Sequence, residues 1–205
     1  MLRTALLTSA TLIFATGAAL AEGGNAAPPP PPVIVAQTGF EGLYAGVELG
    51  LGLGGPINDT ASVDPISDFE DGSAFGVFVG YNWQRDNLVF GGDLRYLAFD
   101  GITADAGGMN IIEVDNVIDL RGRLGFDAGD TLFYGAVGYS LANATDAGGS
   151  FDMDGFNYGL GVEYNLNEDL FVGLDYTGRE VDGTSGAANY ESSLDTLTLR
   201  LGLRF

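Results

Sequence analysis

The residues of this chain that could do chemistry are carboxylates, arginines and tyrosines. Its 205 residues carry 28 Asp and Glu against 8 Lys and Arg, with no His and no Cys, for a formal net charge of −20. Every one of the 8 basic residues is Arg. Without His, the commonest general base and metal ligand is missing, and serine-type nucleophilic chemistry would need an unusual partner. Without Cys there is no disulfide framework, zinc finger or thiol nucleophile. A strong excess of acid, with no basic stripe to neutralise phosphates, excludes non-specific nucleic-acid binding. Paired carboxylates remain, but no cleft can be assigned to them, so the expectation is no catalytic residue, no cofactor and no resident metal.

The spacing of the charges is more informative than their number. Glu48, Asp93, Arg95, Asp119, Arg121, Arg123, Glu163, Asp175, Arg179, Arg200 and Arg204 all share a face with glycine, while their chain neighbours are largely Leu, Val, Phe and Tyr. Such a set can form a salt-bridged interior, or it can line a narrow pore. Two other patterns carry less. Gly50-Leu51-Gly52-Leu53-Gly54-Gly55 superficially resembles a dinucleotide fingerprint, but its glycines alternate with leucines and no helix follows. The acid clusters Asp68, Glu70 and Asp71, and Asp152 and Asp154, offer oxygen ligands for divalent cations at the loops. The EF-hand order is not met, and solvated loop charge is the plainer reading.

The elements that must position these residues follow from a period of two that begins at Gly39. One face of the first strand is Leu43, Ala45, Val47, Leu49 and Leu51; of the second, Phe75, Val77, Val79, Tyr81 and Trp83. The third gives Leu88, Phe90, Leu94 and Tyr96, and the fourth Ile118, Leu120, Leu124 and Phe126. The fifth, about 132–142, reads two ways; the preferred register keeps small residues inside, with Phe133, Val137, Tyr139 and Leu141 outward. The sixth gives Phe156, Tyr158, Leu160, Val162 and Tyr164, the seventh Leu170, Val172, Leu174 and Tyr176, and the eighth Leu197, Leu199, Leu201, Leu203 and Phe205. Short turns near 84–87, 127–130 and 165–168 alternate with long acidic, Gly-rich loops near 53–72, 100–113, 143–154 and 180–194. That alternation predicts an up-and-down barrel with a turn side and a loop side.

The company of the charges decides which face is inside. A soluble barrel has an apolar interior and a charged exterior. Here the charges sit with glycine, and an all-apolar outer face in water would be a large aggregation-prone patch. In lipid that face is required, and a closed barrel satisfies every backbone group. The aromatics agree. Tyr81, Trp83, Phe126, Tyr164 and Phe205 lie toward the turn side and Tyr96, Tyr139 and Tyr176 toward the loop side, as two girdles at the membrane interfaces would. The expected fold is an all-β, eight-stranded antiparallel up-and-down transmembrane β-barrel over 39–205. Six Arg then point inward, Arg85 lies in a turn, and most of the excess acid falls in the four long loops. Ahead of the barrel, 1–21 reads as a signal peptide, with Arg3, the apolar run from Leu6 to Ala15 and a small-x-small site at Ala19-Leu20-Ala21. Residues 22–38, with the unbroken run Pro28 to Pro32, read as a stiff spacer.

Several stretches resemble a known family: Thr38-Gly39-Phe40 through Leu43-Tyr44-Ala45-Gly46, Gly80-Tyr81-Asn82-Trp83-Gln84, Leu120-Arg121-Gly122-Arg123-Leu124-Gly125, Leu132-Phe133-Tyr134-Gly135, Gly161-Val162-Glu163-Tyr164, Gly173-Leu174-Asp175-Tyr176 and the terminal Leu201-Gly202-Leu203-Arg204-Phe205. They resemble the small porin-like outer-membrane β-barrel proteins of Gram-negative bacteria, in the OmpA-like transmembrane barrel superfamily that includes opacity-type surface antigens. The resemblance implies a location in the outer membrane of a Gram-negative bacterium, contact with its lipid and lipopolysaccharide, a periplasmic N-terminus and spacer, short periplasmic turns and surface loops. It also implies that Leu201, Gly202, Leu203 and Phe205 form the signal read by the barrel-assembly machinery. No peptidoglycan-binding domain is expected after the barrel. The family often carries Lys and His, which this chain lacks. Two functions are expected from this reading: a structural role at the envelope surface, or a narrow porin-type channel for passive diffusion of small solutes. An adhesin or receptor role for the loops is a third.

Overall fold

The computed structural model describes residues 39–59, 67–68, 70–105, 111–146, 148–185 and 188–205; the expected signal peptide and spacer lie outside them. The strands are β1 (Gly42–Asp59), β2 (Ser67–Asp68), β3 (Gly72–Arg85), β4 (Leu88–Asp100), β5 (Thr103–Asp105), β6 (Ile111–Asp127), β7 (Thr131–Asp146), β8 (Gly149–Asn165), β9 (Leu170–Ser185) and β10 (Ala188–Arg204). Eight long antiparallel strands follow one another around a single sheet, and β10 closes it on β1 from Tyr44↔Arg204 to Asp59↔Tyr190. The short β2 and β5 pair beside the ends of β1 and β6. The eight alternating segments read from the sequence therefore form a closed up-and-down barrel, and β7 takes the preferred register, with Phe133, Val137, Tyr139 and Leu141 exposed and Tyr134, Ala136 and Ser140 buried.

Local chemistry makes the short turns. Asp86, between β3 and β4, sits at φ 54°, a left-handed conformation that Asp tolerates better than most residues. Between β6 and β7 the Gly129 N–H donates to the Asp127 carboxylate at 2.8 Å, and between β8 and β9 the Asn167 side chain accepts from the N–H groups of Asp169 and Leu170 at 3.0 and 2.8 Å. Such Asx turns reverse the chain without outside help.

The long connections differ from expectation. The stretches 143–154 and 180–194 are mostly strand rather than loop: β7 runs on to Asp146, β8 starts at Gly149, β9 reaches Ser185 and β10 starts at Ala188. β1 likewise extends to Asp59 and β6 begins at Ile111. The barrel wall thus rises past the apolar band as a collar. In this collar the inside is apolar: Leu97, Phe99, Ile102, Ile112, Val114, Val117, Met153, Val181 and Leu194 form one buried cluster. Its outer face carries Asp100, Glu113, Asp152, Asp154, Glu180, Asp182 and Glu191, all exposed. The acids expected in solvated loops are therefore largely on strands. Gly-rich, acid-rich sequence reads as loop, yet hydrogen-bonded neighbours and an apolar inner stripe hold it extended.

Candidate functional site

Below the collar is a charged waist. All eleven charges expected inside are buried there, and they are brought together. Asp93 and Arg95 come from β4, Asp119, Arg121 and Arg123 from β6, Asp175 and Arg179 from β9, Arg200 and Arg204 from β10, Glu48 from β1 and Glu163 from β8. Period-two alternation on tilted neighbours stacks them into layers across the lumen.

Three bidentate pairs form the frame. Arg95 donates to both oxygens of Glu48 at 3.0 and 2.8 Å, Arg121 to both of Asp93 at 2.9 Å, and Arg179 to both of Asp119 at 2.9 and 2.6 Å. Such forks are strong and directional. Asp175 joins the layers. It accepts from Arg95 at 3.0 Å, Arg121 at 3.1 Å, the Tyr134 hydroxyl at 2.6 Å and the Thr177 hydroxyl at 2.7 Å. Asp119 also accepts from Ser140 at 2.7 Å, which in turn accepts from Asn157 at 2.8 Å.

Toward the turns the arginines lie against rings. The Arg123 guanidinium is 3.8 Å from the Tyr134 ring centre and donates to Glu163 and the Tyr44 hydroxyl at 2.8 and 2.9 Å. Arg200 lies 3.9 Å from the Phe78 ring and donates to the Tyr134 hydroxyl at 2.9 Å. Arg204, nearest the turns, donates to Asn165 at 2.9 Å and lies within 3.6 Å of Glu163. The rings of Tyr44, Phe78 and Phe171 pack together at 6.1–6.2 Å between centres.

These inward aromatics, with Phe40, are the lumen residues that charge spacing alone did not single out. The signal for them is glycine on the next strand. Tyr44 faces Gly80, Phe78 faces Gly46, Tyr134 faces Gly161 and Phe171 faces Gly202. A Cβ at any of these glycines would come within 2.2–2.5 Å of the facing aromatic side chain, so a side chain there would displace it. Reading that pairing requires the register, which a single sequence does not give.

Each aromatic assigned to a girdle points outward. Tyr81, Trp83, Phe126, Tyr164 and Phe205 stand toward the turn end; Tyr96, Tyr139 and the partly covered Tyr176 stand toward the collar. The Tyr139 hydroxyl donates to Asp154 at the collar's lower edge. Leu201, Leu203 and Phe205 are exposed on the outer face of β10, Gly202 is turned inward beneath Phe171, and the Phe205 N–H donates to the Leu43 carbonyl at 2.8 Å. Among the described residues, no three acidic side chains are grouped to hold a metal ion; the side chain of Asp68 lies outside them.

This arrangement can hold charge in place and fill space. Six arginines meet five carboxylates in the waist, and their contacts with one another and with ring faces leave the side chains almost without solvent exposure.

The comparisons with known proteins agree with this architecture. The chain is 28% identical to a 22 kDa outer membrane protein of Rhizobium leguminosarum bv. viciae over 142 residues, which is 63% of this chain and 64% of that protein. It is 28% identical to a 25 kDa outer-membrane immunogenic protein of Brucella canis over 186 residues, 84% of this chain and 81% of that one. In structure it is similar to Neisserial surface protein A, with a TM-score of 0.53 and 15% identity, covering 80% of this chain and 97% of the other. Residues 9–205 match the family described as outer membrane protein beta-barrel domain, and the chain belongs to that family of outer-membrane barrels.

Proposed function

We propose that this outer-membrane barrel is a closed structural element of the envelope that does not conduct solutes, with its N-terminus and short turns in the periplasm and its acidic collar at the cell surface. One observation carries the reading: the waist charges are engaged with one another rather than with an aqueous path. Arg95, Arg121, Arg179 and Arg200 are fully buried or nearly so, and each bonds to a carboxylate. A conducting pore needs charged groups that face water, and eight strands enclose an interior just wide enough for side chains.

The same geometry gives no role to a nucleophile or a general base, and the function proposed is not catalytic. The apolar outer face of β10, with Leu201, Leu203 and Phe205 exposed, supports recognition by the assembly machinery, and the ring of tyrosines under the collar supports contact with the outer-leaflet lipid.

Conductance of the refolded, full-length barrel in planar bilayers tests the reading. Insertion without steps is the expected result. Steps whose size changes in Arg121→Gln or Arg123→Gln would overturn it and support a narrow channel for small solutes.

A further inference from the structure

The outer face of the waist is Leu, Val, Phe and Tyr at most positions, but it is interrupted on three neighbouring strands. Gly92 on β4, Gly122 on β6 and Gly135 on β7 all point outward; Gly92 pairs with Gly122, and Gly135 pairs with Leu124, two residues along. Inside the waist Gly46, Gly80, Gly161 and Gly202 lie under rings, and Gly50 and Gly138 lie against the backbone of the next strand. Gly122 and Gly135 do neither. A Cβ at Gly122 would approach nothing closer than a carbonyl oxygen at 3.9 Å, and one at Gly135 nothing closer than Leu160 at 3.8 Å. A fourth outward glycine, Gly178, lies under the Tyr158 ring. Packing within the barrel therefore accounts for Gly178, but it does not call for glycine at 122 or 135.

The result is a groove of about 740 Å³ floored by Gly122 and Gly135 and walled by Trp83 and Phe90 on one side and Tyr158 and Leu160 on the other. A second depression of about 550 Å³ adjoins it, shares Leu124, Gly135 and Leu160, and runs to Leu88, Phe126 and Phe133 at the turn end. At that mouth stands Arg85, directly opposite Leu88 across the β3–β4 hairpin. Arg85 is exposed, whereas every other arginine among the described residues is buried in the lumen. It forms no ion pair among the described residues.

We propose that this groove is a binding site for one phospholipid of the turn-side leaflet, its acyl chain lying over Gly135 and Gly122 and its anionic headgroup held by Arg85. The groove is continuous with the lipid-facing band, so its occupant lives in the membrane. Its walls are apolar, which suits a hydrocarbon chain, and backbone exposed at glycine allows the closest approach. The one exposed cation among the described residues stands at the end where a headgroup would lie, which suits an anionic phosphate. A second copy of this chain is the poorer occupant, because two collars rich in carboxylate would repel one another. The inference rests on the outer face meeting lipid and not on the closed lumen, so a conductance result leaves it untouched.

Trp83 is the only tryptophan of the chain and forms part of the groove wall, so it serves as the reporter. The full-length barrel is refolded into phosphatidylcholine vesicles containing increasing fractions of phosphatidylglycerol brominated on its acyl chains. Trp83 quenching is expected to saturate at a low fraction, several-fold above what random mixing gives. Gly122→Leu with Gly135→Leu, which fills the groove, returns quenching to the random-mixing line. Arg85→Gln leaves the groove open but abolishes the preference for brominated phosphatidylglycerol over brominated phosphatidylcholine. Quenching that follows random mixing in the unaltered protein overturns the proposal, as does unchanged quenching in the filled variant. An unchanged headgroup preference in Arg85→Gln overturns the assignment of the phosphate to Arg85. Energy transfer between labelled copies that disappears on filling the groove assigns it to a second copy instead. Heat-modifiable migration on SDS gels verifies the fold of each variant, and Arg85→Gln, an exposed change, keeps the test decisive if the filled variant does not fold.

Discussion

The waist and the collar are built by the same strands on opposite plans. On β9 the inward residues Asp175, Thr177 and Arg179 give way to Val181, while the outward residues pass from Leu174 and Tyr176 to Glu180 and Asp182. On β4 Asp93 and Arg95 are followed inside by Leu97 and Phe99, and outside Tyr96 is followed by Asp100. On both of these strands the alternation keeps its phase and the polarity of each face reverses. The cause is the solvent outside. Against lipid, the apolar side must face out and the polar side chains must satisfy one another inside. Against water, the hydrophobic effect restores the usual order, with an apolar core and a charged exterior. A membrane barrel can therefore carry a soluble-type barrel on its rim by continuing the same strands, with the pairing shifting register between Gly54 and Ile57 on β1 and between Val114 and Asn116 on β6.

The strongest way to break this contrast is to unbalance the waist. Asp175→Leu leaves Arg95 and Arg121 without their shared carboxylate, and should destabilise the refolded barrel by about 3–5 kcal/mol in urea unfolding from vesicles. Leu97→Ala removes bulk from the collar core and should cost about 2–5 kcal/mol, read as faster amide exchange in the collar strands than in the waist. If exchange rises equally in both, the two regions are one cooperative unit.

Placing Arg at Leu120, which is 65% exposed on the lipid face, should cost about 2–4 kcal/mol. The same residue placed at Glu180, on the outer face of the collar, should cost far less, because water and not lipid lies outside. Equal costs would remove the distinction between the two faces. The smallest effect comes from the collar's own charges. Asp154, Asp182 and Glu191 stand in one cross-strand row, each directly opposite the next. Like charges so placed repel, so Asp182→Asn should stabilise the collar by about 0.2–1 kcal/mol at low salt. The gain should shrink as salt is added, because these groups are exposed to screening.

Much of this was legible beforehand because lipid leaves so few solutions. Leu43, Val47 and Leu49 alternate with Tyr44, Glu48 and Gly50, and only a strand with one face in lipid accounts for that pattern together with inward Arg and Asp. The eleven lumen charges could be named for the same reason. The collar was not legible, since Asp152, Asp154, Asp182 and Gly183 have low strand propensity and read as loop. Their extension depends on neighbours far away in the chain, such as Val114 and Leu194, which line the same inner cluster as Met153 and Val181. The glycines held two meanings that the sequence could not separate: Gly80 is required by the ring of Tyr44, while Gly122 and Gly135 face open space.

By itself, then, the sequence determined the number of long strands, the facing of the side chains in the apolar band of every strand but the fifth, and the membrane as solvent, because these follow from a period of two and from the side on which charge travels. Tertiary structure alone decided which charge meets which. Arg95 reaches Glu48, 47 residues away, and Asp175, 80 residues away, through the tilt and closure of the barrel. It also decided that the strands continue into an inverted collar and that three outward glycines lie side by side. Register and closure are properties of paired strands, and no single strand carries them.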